Sequence, residues 1–249
     1  MENTGATKST TTVKDYVYRI SAAVSNAILV TLGIGLLLQT IASFIHWNAL
    51  YQVGVIANDL LAPALGVAIA SQLETSSLVI FSAMISSTIG ANAVHFTSTA
   101  VNGTTATGTS LMQAAGSATF ATGQPVSAVL AGLIAALIGK YLSGKTPLDM
   151  MLVPFTATLV GGICGLGLAA VTTPLLSNAS AFIAETMQVN PLVGSISISV
   201  VWALFLMTPA SSAALAIALT LDPISSAAAL IGTTSQFVAF TAMSFRQNN

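Results

Sequence analysis

The sequence predicts an all-α, polytopic transmembrane protein with broken or re-entrant helices and about seven or eight membrane segments. Two observations predict it. The 249 residues are 54% hydrophobic and 5% charged, with a mean hydropathy of +0.87, whereas soluble domains carry about 25% charged residues. Long apolar runs recur down the chain, and about 20 apolar residues suffice to cross a hydrocarbon core of about 30 Å. The formal charge of −1 and the lack of any basic patch exclude a nucleic-acid partner. Cys164 is the single cysteine, so no intramolecular disulfide forms. Its apolar, Gly-rich surroundings predict a small buried hydrophobe.

Residues 1–19 are polar and carry Lys8, Lys14 and Arg19. They read as a cytoplasmic tail before a single membrane-embedded domain over 20–249. Ile20–Ile45 is the first apolar span, and His46-Trp47 closes it as an interfacial pair. Leu50–Gln72 is the second, interrupted by Asn58-Asp59 and by Pro63, with Glu74 just beyond. Ser76–Val94 is the third.

From His95 to Gly123 the chain is dense in Thr, Ser and Gly and holds no charge. Two readings compete, an exposed loop and a re-entrant segment buried in protein. The absence of charge favours burial. Gln124–Tyr141 is the next span, followed by Lys140, Lys145 and Asp149 at its loop. Met150–Val171 carries Gly161, Gly162, Gly165 and Gly167, a set that suits close helix packing in lipid. Pro174–Asn190 has amphipathic spacing and reads as an interfacial segment.

Asn190–Gly232 holds no charge before Asp222 and is too long for one straight crossing. Thr208-Pro209 predicts a break near its middle, because proline lacks the N–H and its ring clashes with the preceding turn. Asp222-Pro223 predicts a second break, and Ile224–Phe245 is the last apolar run. Interrupted helices with polar groups at their breaks are a common way to build a solute site inside a membrane. Placing both Lys/Arg clusters inside by the positive-inside rule sets the N-terminus in the cytoplasm.

No P-loop, HExxH, GxSxG or zinc-spaced Cys/His set occurs, so no catalytic residue, cofactor or metal is expected. The candidate solute-binding residues are Asn58, Asp59, Glu74, His95, Gln124, Thr208 and Asp222, polar groups in apolar context. Asp59 and Glu74 are the strongest pair, being the only charges between Arg19 and Lys140. The competing reading puts both at helix ends in the headgroup layer, and His95 at the interface. Ala62-Pro63-Ala64 before Glu74 echoes Thr208-Pro209-Ala210 before Asp222. A true repeat would bring Glu74 and Asp222 to one polar cavity.

The runs GQPVSAVLAGLIAALIGKYLSGKTPLDMMLVPFTATLVGGICGLGLAAVTTPL, MTPASSAALAIAL, DPISSAA and SFRQN resemble the phosphotransferase-system enzyme IIC-like membrane family. That family includes regulators resembling the perfringolysin regulatory protein. The resemblance runs from about Ser21 to the end. It implies a bacterial inner-membrane permease component that takes up a sugar, its phosphoryl group arriving from a separate IIB protein. Such a subunit belongs to a protein-phosphohistidine-sugar phosphotransferase, with separate IIA and IIB partners and a homodimer as further expectations. Members usually continue past the SFRQN-like segment, so the chain is expected to lack that C-terminal portion. Nothing matches the Glu-containing sugar motif of glucose-type IIC proteins, so no site residue carries over. Two rivals stand beside the permease: a membrane regulator that binds a small solute, and an ion-coupled transporter working through Asp59 or Glu74.

Overall fold

The structure, a computed structural model, describes residues 13–105, 108–145 and 147–206. The chain runs α1 (Val13–Ile28), a π-helical turn (Leu29–Gly33), α2 (Ile34–Ile45), α3 (Asn48–Asp59), α4 (Leu61–Gln72) and α5 (Ser77–Gly90). Strands β1 (Val94–Phe96), β2 (Val101–Thr104), β3 (Ser110–Gln113) and β4 (Ala118–Phe120) follow. Then come α6 (Pro125–Leu142), α7 (Asp149–Val189) and α8 (Pro191–Leu206). Three described helical stretches are long and apolar enough to cross a membrane: Lys14–Ile45, Pro125–Leu142 and Asp149–Leu175. The bent pair α3 and α4, at 49°, makes a fourth if counted as one span. The break at Pro209, Asp222 and the run Ile224–Phe245 lie outside the described residues.

Small residues set the packing of α4 to α7. No hydrophobic force separates a leucine on a neighbour from a lipid tail, so helices in lipid gain by close approach of their backbones. Gly90, Ala131 and Gly165 meet at one point, where a Cβ on Gly165 would lie 2.7 Å from both the Ala131 Cβ and the Gly90 Cα. Gly161 does the same against Ala135 at 2.6 Å, and Gly132 against the Gly66 Cα at 3.2 Å. Gly162 meets only Ile89, and Gly167 has nothing within 4 Å, so the predicted glycine set splits into packing and free faces. Buried serines tie the contacts together. Ser87 Oγ donates to the Ala128 carbonyl at 2.7 Å, and Ser86 Oγ to that of Ala157 at 3.3 Å. Leu29, Val30, Phe44, Ile163 and Leu166 face outward, as lipid-facing side chains should. Cys164 is exposed beside Ile163 and Leu166 rather than buried, because the glycines of α7 claim the packed face.

Two local departures from the sequence reading have physical causes. The segment over His95–Gly123 is not a buried re-entrant stretch. It folds as nested antiparallel strand pairs, β1 with β4 and β2 with β3, and most of its side chains are exposed. Strand pairing satisfies the backbone polar groups, so the segment needs neither charge nor burial in protein. Met150–Val171 and Pro174–Asn190 are not separate segments either, since α7 runs from Asp149 through Pro174 to Val189. One missing N–H is tolerated in a long helix of this kind.

Candidate functional site

One end of the bundle collects the charges. Arg19 pairs with Glu74 at 2.9 Å and its Nε donates to Gln72 Oε1 at 3.4 Å. Lys140 Nζ donates to the Leu73 carbonyl at 2.7 Å and lies 5.4 Å from the Tyr16 ring centroid. Nearby in the chain, Lys145 stacks over Tyr141, and the Gly144 N–H donates to Asp149 Oδ2. This end therefore marks one membrane face.

At the other end of α4, α5 and α6 lies a second polar level. Twelve residues of α4 separate Asp59 from that charged end, a distance of about 18 Å. The fourteen residues of α5 give about 21 Å. This level thus stands about 18–21 Å from the charged end, less than a hydrocarbon layer of about 30 Å. Above it α2 and α3 continue for twelve residues each to the turn at His46-Trp47, both exposed.

The helix break makes the site. Leu60 (φ −84°, ψ 7°) separates α3 from α4, and Pro63 cannot donate to the Asp59 carbonyl four residues back. Asp59 sits on the last turn of α3. Its Oδ1 accepts a bond from Thr122 Oγ1 at 3.3 Å, and among the described residues no cation stands against it. Thr122 is placed by a backbone staple: the Ala121 N–H donates to the Ala93 carbonyl at 2.8 Å, and Gln124 N–H to that of Ala91 at 2.8 Å. Between them Gly123 has φ 67°, and a Cβ there would lie 2.8 Å from the Ala93 Cβ. Only glycine satisfies both the left-handed backbone and that approach.

Gln124 immediately precedes α6, and its side chain reaches α7. Its Oε1 accepts from Thr173 Oγ1 at 2.9 Å, Thr172 Oγ1 at 3.1 Å and Ser127 Oγ at 3.4 Å. Thr172 has one proton, which the Leu168 carbonyl also claims at 2.9 Å. No described residue accepts from the Gln124 amide nitrogen, which leaves its N–H groups available. Asn58 Oδ1 is buried with no hydrogen-bond partner, pressed against Gly35 of α2.

The predicted residues therefore divide. Asp59, Asn58 and Gln124 share one level. His95 is exposed on β1, paired with Thr119 of β4, whose Oγ1 also donates to the His95 carbonyl at 3.1 Å. Glu74 is at the opposite end of α4, with its side chain 67% exposed, and does not join Asp59. Thr208 and Asp222 lie outside the described residues. Thr122, Thr172 and Thr173 went unforeseen. A hydroxyl pair directly before Pro174 was the available signal, since prolines in membrane helices free carbonyls that hydroxyls can serve.

The arrangement offers a carboxylate, a carboxamide and several hydroxyls inside an apolar layer, which suits a neutral, hydroxyl-rich solute. Residues 18–249 match the family described as Phosphotransferase system, EIIC. No curated protein and no solved structure gives a significant match. With the match covering nearly the whole chain and apolar helices long enough to span, the protein belongs to the phosphotransferase system EIIC family and is a membrane permease component of such a system.

Proposed function

We propose that the chain translocates a sugar across the bacterial inner membrane in a phosphoenolpyruvate-dependent phosphotransferase system. The sugar sits at Asp59, Thr122, Gln124, Thr172 and Thr173, with Asn58, His95, Thr208 and Asp222 as further contributors. Glu74 serves the charged end instead. The observation that supports this is the cluster itself, donors and acceptors gathered at a helix break inside an apolar slab. Sugar hydroxyls both donate and accept, and such a site discriminates strongly because unmatched polar groups are left unpaired. Arg19, Lys140 and Lys145 lie at or beside the charged end, which the positive-inside rule makes cytoplasmic. That face is where the N-terminal segment and a separate IIB phosphocarrier belong.

Uptake of labelled sugars into membrane vesicles tests the reading. Phosphoenolpyruvate with the soluble IIA and IIB phosphocarriers should drive accumulation of the sugar phosphate. Free sugar accumulating on an ion gradient alone, or saturable binding with no uptake, would replace it with the transporter or regulator reading.

A further inference from the structure

The α2–α3 hairpin is joined to the bundle in an unusual way. Within it the two helices are locked. The Gly54 carbonyl would lie 2.8 Å from a Cβ on Gly35, and the Gly35 carbonyl 2.5 Å from one on Gly54. Such backbone-to-backbone contact leaves no slack between α2 and α3. Both connections to the bundle are irregular. On one side is the π-helical turn Leu29–Gly33, on the other Leu60 at the 49° bend, followed by Pro63. π-turns and prolines are both established origins of a kink in a helix. A groove of about 570 Å³ opens against these same residues, lined by Val30, Thr31, Leu60, Pro63 and Ala64 among others. The groove leaves Val30, Leu60 and Pro63 open on one side of the connections, while Leu32, Leu61 and Ala62 beside them are buried in the core.

Asn58 Oδ1, buried with no donor against Gly35, lies inside the hairpin and moves with it. Among the described residues, the hairpin makes one side-chain hydrogen bond to the rest of the molecule, Thr122 to Asp59 at 3.3 Å.

We propose that the α2–α3 hairpin is a gate arm. It swings as a unit about a line through Leu29–Gly33 and Leu60, and the Thr122–Asp59 bond is its latch. The arm lies beyond the polar level on the side away from the charged end, so its swing opens the cluster toward that side. The role as a gate rests on the permease reading, whereas the swing itself does not.

Electron–electron spin distances test the swing on the full chain without any solute. In a Cys164→Ala background, nitroxides go on Asn48→Cys at the arm tip and Leu137→Cys on α6, both exposed positions. A 20° swing of an arm of about 18 Å moves its tip about 6 Å. Two distance populations differing by about 5 Å or more are expected. Thr122→Val, which removes the latch, should shift weight to the population absent from this structure. Pro63→Ala, which restores a donor to the Asp59 carbonyl, should merge the two. If Pro63→Ala does not yield monodisperse protein, deletion of Val30 serves instead, since removing one residue returns a π-turn to α-helix. One narrow population unmoved by these changes would overturn the arm, even where sugar uptake proceeds. Two populations with no sugar uptake would keep the swing and overturn the permease reading.

Discussion

Asp59→Asn is expected to weaken solute binding tenfold to about a hundredfold while leaving expression and melting temperature nearly unchanged. A carboxylate accepting from a solute hydroxyl contributes about 1.5–3 kcal/mol, and 1.4 kcal/mol is a factor of ten. Asparagine is near-isosteric and keeps one oxygen for Thr122, so the contact at 3.3 Å survives. The lost acceptor becomes a donor, which repels a sugar hydroxyl placed to donate. No described cation loses a partner, so the fold has little at stake. Glu74→Gln is the control. That side chain is 67% exposed and pairs with an Arg19 itself 39% exposed, and such pairs contribute only about 0–1 kcal/mol. Titration calorimetry on purified protein, with the sugar identified by uptake, should show affinity falling for Asp59→Asn and changing less than about threefold for Glu74→Gln.

Gln124→Leu is expected to abolish most transport and to lower the melting temperature by a few degrees. Its oxygen holds the start of α6 to α7 through Thr172 and Thr173. On its loss the Thr172 proton falls back on the Leu168 carbonyl at 2.9 Å, and that of Ser127 on the Gln124 carbonyl at 3.3 Å. Only Thr173 is left without its acceptor, a loss of about 1 kcal/mol. For a chain of this size that is a shift of about 2–4 °C. Transport suffers more, because the amide N–H groups that the proposed site offers to the sugar go too. Gln124→Glu separates the two roles. It keeps an acceptor for Thr172 and Thr173 and should restore the melting temperature, but it removes the donors and sets a second carboxylate at the level of Asp59. Differential scanning fluorimetry and vesicle uptake on the three proteins check both halves.

The comparison with the sequence shows which forces a linear reading detects. Asn58-Asp59 and Pro63 announced the break between α3 and α4, because proline chemistry is local and a carboxylate in an apolar run has few uses. Gly161 and Gly165 announced close packing for the same reason. Depth was harder. Asp59 and Glu74 read alike as lone acids, yet one stands at a helix break and the other beside Arg19, and only the direction of α4 separates them. The ribbon over Val94–Phe120 was misread because missing charge was taken to mean burial. Its short strands, broken by Gly108 and Gly116 at positive φ, pair across as many as 26 residues, as Val94 does with Phe120. No periodicity reveals such a pairing. Thr122 meets Asp59 across 63 positions, and Thr173 meets Gln124 across 49. Those contacts are products of packing, and composition does not carry them.

The central claim is that solute occupies the level of Asp59 and Gln124 and not the charged end. Cysteine protection tests it most directly, in a Cys164→Ala background with Thr173→Cys and Glu74→Cys made separately. Both positions are exposed in the structure. A saturating transported sugar should slow the labelling of Thr173→Cys at least fivefold, about 1 kcal/mol of competing occupancy, and leave Glu74→Cys unchanged. Equal labelling of Thr173→Cys with and without sugar, or protection confined to Glu74→Cys, would contradict it.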